Sequence, residues 1–498
     1  MDRRRFMQGA ALGAAALSLP GLGWGQSPGR AAADFNASLR DQPWLVGWRD
    51  AALQTGVPLE LEVQGQIPAG LRGRLYRNGP GLFSRADLRY RHWFDGDGLI
   101  QAWNIDQGGV QHRARFIATS KYRSEQATGR FTRPAAGTRV PAAKPIRNSD
   151  DLNTANTSVI EHAGSLYALW EGGSAHQLNA DSLETLGPKI WREDLQGVPF
   201  SAHPLHDAAG HLWNVGVFGN NLLVWQIEQD GELRDIQRIE TPFPGYLHAF
   251  SMTGPFLIFV LMPYVFDPRE AGASYFESLH WQPERGCRVL VVDVQNGFKQ
   301  RWYGLPAGAA YHFGPARQVG RELMVEACWS RNGKEMISPF AAEMRGISRR
   351  LDVGSSLQRI VIGLDNGRCY SETVRSGGQD FPVWDARAPS GSMFVLDDGD
   401  HSTSGCFRGI SRIDLQRGAV DHFDYGDHCM VEEHRFVADP ARPRPGAGWL
   451  VGTVLDWRRQ QSGLSILDAE RLSAGPLAQA WLPHALPLGF HGWFAATA

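Results

Sequence analysis

The chain has 498 residues, 43% of them apolar, with 50 Lys+Arg against 52 Asp+Glu and a formal net charge of -2. That balance excludes an electrostatic footprint for nucleic acid, and the length allows one very large domain or about two to four ordinary ones. Gly at 57, Pro at 29 and Trp at 17 imply tight turns between short aromatic-bearing strands rather than long helices.

Asp2-Arg3-Arg4-Arg5-Phe6-Met7 carries a twin arginine followed by one residue and a Phe, the form of a twin-arginine export signal. Gly9 to Leu22 is apolar but short and rich in Gly and Ala, a poor spanning helix. Residues 1–26 therefore read as a signal peptide and 27–498 as a single propeller-type domain, and a periplasmic location is expected. An uncleaved anchor or a disordered basic tail is the alternative.

Asp34 to Trp48 is expected to hold a short helix and an extended lead-in. From residue 57 onward strand follows strand, with Gly73–Tyr76, Ser165–Trp170, His211–Val217 and Leu222–Ile227 as early examples. Cys287–Asp293, Glu322–Glu326, Gln358–Ile362, Gly409–Asp414 and Gly448–Val454 continue the series. Each is rich in Leu, Val, Ile or aromatics and bounded by turn residues. Ser120 to Asp151, basic and Pro-containing, breaks the rhythm and predicts an excursion over one face. Pro255 to Phe266 is an apolar run interrupted by Pro263. It reads as a buried strand pair, or else as a greasy wall or lip that admits an apolar substrate and makes peripheral membrane contact. Ala341 to Arg350 is a second helix candidate.

The five cysteines (Cys287, Cys328, Cys369, Cys406, Cys429) form no Cys-x-x-Cys pair and read as buried small apolar residues, with one or two disulfides as the alternative. So many short strands without a linker point to an all-β architecture. A β-propeller leaves few edges exposed and returns distant residues to one axis; tandem sandwich domains are the competitor.

Four histidines make that distinction matter. His203 precedes Pro204, His248 lies between Leu247 and Ala249-Phe250, His312 is flanked by Tyr311 and Phe313, and His491 follows Phe490. Each has apolar or aromatic neighbours, as at strand ends lining a dry cavity. His112, His206, His211, His422 and His428 sit among polar or turn residues. A neutral imidazole is the commonest metal ligand, and four could hold one metal without a carboxylate. Asp95-Gly-Asp-Gly98 lacks the remaining oxygens of a calcium loop and reads as a turn whose aspartates take backbone N–H groups.

Tyr76-Arg-Asn-Gly-Pro-Gly81, His92-Trp-Phe-Asp-Gly-Asp-Gly98, Asn153-Thr-Ala-Asn-Thr157, Ala168-Leu-Trp-Glu-Gly172, Ser201-Ala-His-Pro204 and Gly489-Phe-His-Gly492 resemble, in order, signatures of the carotenoid cleavage oxygenase family. The resemblance runs from about residue 40 to the C-terminus. It implies a seven-bladed β-propeller with an axial four-histidine site for one Fe(II) and a loop/helix cap over one face that encloses an apolar tunnel. His203, His248, His312 and His491 fall on the ligand positions, whereas His92 is not used. Glu171 and Glu433 fall on carboxylates behind the ligands. The third such carboxylate, usually the Glu of Glu-Phe-Pro, is here Asp380, expected to reach its histidine less directly, through water or a small backbone shift. Thr157 matches a position whose methyl crowds the open coordination face.

The resemblance further implies cleavage of a carbon–carbon double bond by dioxygen, giving two carbonyl products. Lignostilbene-cleaving members place a lysine immediately before the first carboxylate; here that residue is Trp170, which favours a carotenoid or apocarotenoid over a stilbene. Isomerase activity is a less fitting outcome. Two other classes remain: a copper or quinone-dependent periplasmic propeller oxidoreductase, and a non-catalytic periplasmic propeller that only binds.

Overall fold

The computed structural model describes residues 28–53, 56–267, 269, 274–333, 336, 341–347, 355–397 and 406–497. The expected signal peptide, 1–26, lies outside them. Seven antiparallel sheets of four or five strands stand around one axis as blades, with two small hairpins beside them. This is the propeller, and no sandwich pair is present among the described residues.

The innermost strands are Ser158–His162, Leu205–His206, Phe250–Thr253, Phe313–Val319, Gln379–Trp384, Cys429–Ala438 and His491–Ala496. The ring is closed by both ends of the chain. His491–Ala496 pairs with Gly73–Leu82, placing the C-terminal strand inside a blade otherwise built from the N-terminal region. Val63–Gly65 reciprocates by adding to Pro476–Trp481 at the outer edge of the preceding blade.

Blade faces pack on one another through apolar residues. Leu75, Trp103 and Ile105 of one sheet meet Val451, Leu464 and Ile466 of its neighbour, all essentially inaccessible. Each such side chain contributes about 1.5–3 kcal/mol when fully buried. Gly448–Asp456 is buried along its whole length, so apolar residues stand on both of its faces rather than alternating with polar ones. All five cysteines are free thiols, Cys369 half-buried and the others buried.

Several expectations need correction. The lead-in forms a helix over Pro28–Ser38 and then a 3-10 turn over Pro43–Trp48 rather than an extended segment. Pro43 presets the turn's first residue, and Leu45 and Trp48, three apart, share its buried side. The excursion begins with an unforeseen helix, Ser120–Thr128, whose N-cap Thr119 accepts from the Tyr122 N–H at 3.1 Å and which stops at left-handed Gly129. Of the Ala341–Arg350 candidate only a 3-10 turn, Glu343–Arg345, is present; residues 348–350 lie outside the described set. The apolar run divides at Pro263. Phe256–Leu261 is a wholly buried strand, as the first of the two readings had it, while Tyr264–Phe266 pairs with Leu279–Trp281 in a hairpin.

The cap covers one end of the axis. Phe131, Ala135 and Val140 from the excursion pack with Trp48, Phe83, Trp93 and Phe490. A buried ionic cluster fastens its helix. Lys121 Nζ donates to Tyr90 (2.6 Å), Asp97 (3.0 Å) and Glu125 (3.1 Å), and Arg85 reaches Asp97 at 2.8 Å. Asp95 does take the expected backbone N–H, from Gly137 at 2.8 Å, but Asp97 serves these cations instead.

Candidate metal centre

The seven inner strands all begin at the capped end of the axis, and the predicted site residues cluster at those beginnings. Thr157, His203, His248 and His312 stand one or two residues before their strands, and His491 is the first residue of its own. Asp380 is the second residue of its inner strand, whereas Glu433 is midway along Cys429–Ala438, at a register slip between Val431 and His434. Glu171 stands two residues beyond a second-row strand, Ser165–Leu169, which runs antiparallel to Ser158–His162 and so delivers its far end to the same place.

The four histidines converge, their ligand nitrogens all within 4.8 Å of one another. His203 Nε2 is 2.8 Å from His248 Nε2, and His312 Nε2 is 3.1 Å from His491 Nε2. Behind them, His248 Nδ1 meets Glu171 at 2.7 Å, His312 Nδ1 meets Asp380 at 2.7 Å and His491 Nδ1 meets Glu433 at 3.1 Å. A carboxylate can only accept, so each of these rings carries its proton on Nδ1 and a lone pair on Nε2. The Nε2 atoms of His312 and His491 therefore face each other as two acceptors, an arrangement that a cation between them resolves. The spacing also suits a metal, because neighbouring ligands with bonds of about 2.1 Å stand about 3 Å apart.

Electrostatics favours the same reading. Burial, with the neighbouring imidazoles adding to it, holds His203 well below the usual histidine range. Burial likewise takes His491 down to about 4 despite the opposing pull of Glu433. Neutral imidazoles are the form that ligates. Burial works to raise the Glu433 carboxyl, but Arg435, His491 and Arg77 outweigh it and keep the group ionised.

Of the two routes expected for Asp380, water is not the one used: its contact with His312 is direct. The strand slips register between Asp380 and Val383, and Phe381 adopts a left-handed φ of 53°. That bulge carries the shorter side chain forward, and the Phe381 N–H bonds the same carboxylate oxygen at 2.8 Å. His92 stands apart, its Nδ1 accepting from the Phe94 N–H at 3.1 Å to cap a turn.

Above the histidines lies a cavity of about 800 Å³, walled by His248, His312 and His491, by Thr157, Trp170 and Glu171, and by Phe94, Phe276, Tyr311, Phe381 and Phe490. Phe266 brings the end of the apolar run into this wall together with its cross-strand partner Leu279, and Ile146 brings the excursion, with Leu152 just beyond it. The size is within the usual range for a small-molecule site. Tyr246 was missed by sequence reasoning. Its hydroxyl donates to Glu171 at 2.9 Å, yet beside the run Leu247–Phe250 it reads as core. A second convergence, His428, Cys429 and Asp456, is less suited to a metal. Burial pushes the Cys429 thiol up to about 12, away from the thiolate a metal needs.

A family model described as retinal pigment epithelial membrane protein matches residues 49–496. Among curated proteins, the chain is 28% identical to an apocarotenoid-15,15'-oxygenase of Synechocystis, covering 92% of this chain and 97% of that one. It is 26% identical to an isoeugenol monooxygenase of Pseudomonas nitroreducens, over 91% and 98%, and 26% identical to a lignostilbene-alpha,beta-dioxygenase isozyme of Sphingomonas paucimobilis, over 88% and 94%. The fold is that of the Synechocystis apocarotenoid oxygenase structures, one of which superposes with a TM-score of 0.82 at 24% identity, over 92% and 99%. A cobalt-substituted form of that enzyme superposes at 0.80, also at 24% identity and over 92% and 99%. The chain belongs to the carotenoid cleavage oxygenase family.

Proposed function

We propose that this protein is an Fe(II)-dependent dioxygenase that cleaves a carbon–carbon double bond of a carotenoid or apocarotenoid. One C=C and one O2 are consumed and two carbonyl groups are formed, so no other reductant or oxidant is needed. The observation that carries this reading is the convergence of four imidazoles, three of which line an aromatic cavity. His203, His248, His312 and His491 would hold the iron. When bound, Fe(II) supplies the redox chemistry that activates dioxygen. Glu171, Asp380 and Glu433 accept the Nδ1 protons, which fixes each ring and offsets part of the metal's charge. Thr157 limits what reaches the open face. The cavity wall excludes water and orients a flat conjugated chain by contact rather than by charge.

The ring of Trp170, standing where stilbene-cleaving relatives carry an ammonium, supports a polyene over a phenol. Aerobic incubation of Fe(II)-loaded protein with apocarotenoids, carotenoids and stilbenes, with products identified by mass, tests the proposal. Paired aldehydes from a polyene are expected. An iron-loaded protein that converts none of the panel sinks the reading, and turnover of stilbenes alone reverses the choice of substrate. We also infer periplasmic export from the Arg3-Arg4 motif; cell fractionation of an Arg3→Lys, Arg4→Lys chain should find the protein retained in the cytoplasm.

A further inference from the structure

The three carboxylates behind the histidines are anchored in different ways. Asp380, short and part of a bulge, is pinned by the N–H of Phe381 at 2.8 Å. Glu433, only 5% exposed, is pinned by the N–H of Gly492 at 2.7 Å and flanked by Arg77 and Arg435. Glu171 is the most open of the three, with 27% of its side chain exposed, and among the described residues it has no backbone donor and no arginine or lysine. Its partners are His248 and the hydroxyl of Tyr246, at 2.9 Å from one carboxylate oxygen and 3.2 Å from the other.

Tyr246 is itself rigidly held. It exchanges both backbone hydrogen bonds with Met262, and a Cβ on the preceding Gly245 would come within 2.8 Å of Leu261 and Met262. Alternation along the chain places residues 246 and 248 on one side, so the phenol and the imidazole meet the same carboxylate. From this we infer that Tyr246 is a positioning residue of the metal centre: its hydroxyl holds Glu171 where it accepts the Nδ1 proton of His248. A free glutamate at the cavity wall would otherwise exchange rotamers with solvent, and His248 would lose its fixed tautomer and direction.

The inference rests on the metal-binding reading of the four histidines but not on any substrate. Its test is metal binding by the full-length protein, with Co(II) as the probe, read by competition against a chelator and by visible absorption. Tyr246→Phe should weaken Co(II) binding about three- to tenfold and shift the absorption bands. Tyr246→Leu should lose a similar amount, because the hydroxyl and not the ring carries the effect. In a Glu171→Gln background Tyr246→Phe should add little, since both changes break one linkage. Unchanged affinity and spectrum in Tyr246→Phe, a Leu variant far weaker than the Phe variant, or full additivity with Glu171→Gln would each overturn the assignment. Parent protein that binds Co(II) but cleaves no polyene as the iron form would overturn the proposed reaction and leave this assignment standing.

Discussion

Asp380 is one methylene shorter than the glutamate of the motif it resembles, and it still contacts its histidine directly rather than through water. The bulge and the left-handed Phe381 bring its carboxylate to 2.7 Å from His312. Asp380→Asn keeps the size and an acceptor oxygen but removes the charge that offsets the metal. Metal affinity should fall about tenfold, the lower end of the range for a partner of a ligating histidine. Chelator competition measures this, and an unchanged dissociation constant would show that hydrogen-bond geometry alone suffices. His312→Ala, which removes a ligand outright, should abolish stoichiometric iron in metal analysis.

At the scale of elements, the cap helix Ser120–Thr128 is tied down by ions rather than by apolar contact alone. Lys121→Met would leave Asp97 and Glu125 buried near each other, compensated by Arg85, 2.8 Å and 3.9 Å away, and for Glu125 by the backbone N–H groups of Thr132 and Arg133. We expect a loss of about 3 kcal/mol, the low end for breaking a buried pair because Arg85 remains. Urea denaturation measures it, and a change below about 0.5 kcal/mol, ordinary for a surface site, would mean the cluster contributes little. This helix is also where sequence reasoning failed. Its polar face is turned inward onto charges, so no apolar periodicity marks it. The strands were legible because blade cores demand runs such as Cys287–Asp293, and the four histidines because apolar neighbours mark dry strand ends. Tyr246 was not legible, since its hydroxyl matters only through Glu171, which lies far away in the chain. Asp380's direct reach depends on a backbone bulge that composition does not announce.

The whole molecule carries several neutral histidines away from the metal centre. Burial takes His112 down to about 3, and His206 and His434 to about 4. Their folded values lie below the ordinary value near 6.5, so between about pH 6.5 and 4 the unfolded chain binds protons that the folded chain does not. Stability should therefore fall as pH drops through that window and level off above it. Urea midpoints of chelator-treated protein between about pH 7.5 and 4.5, from roughly one unit above the window's upper edge to about two units below it, test this. A midpoint that is flat or rises on acidification contradicts it.

The strand His491–Ala496 both shuts the ring and brings the fourth histidine. A chain cut anywhere before His491 therefore loses the inner strand of one blade and one imidazole of the cluster together. Closing the ring and completing the cluster are thus one event, and whatever frees this strand undoes both at once.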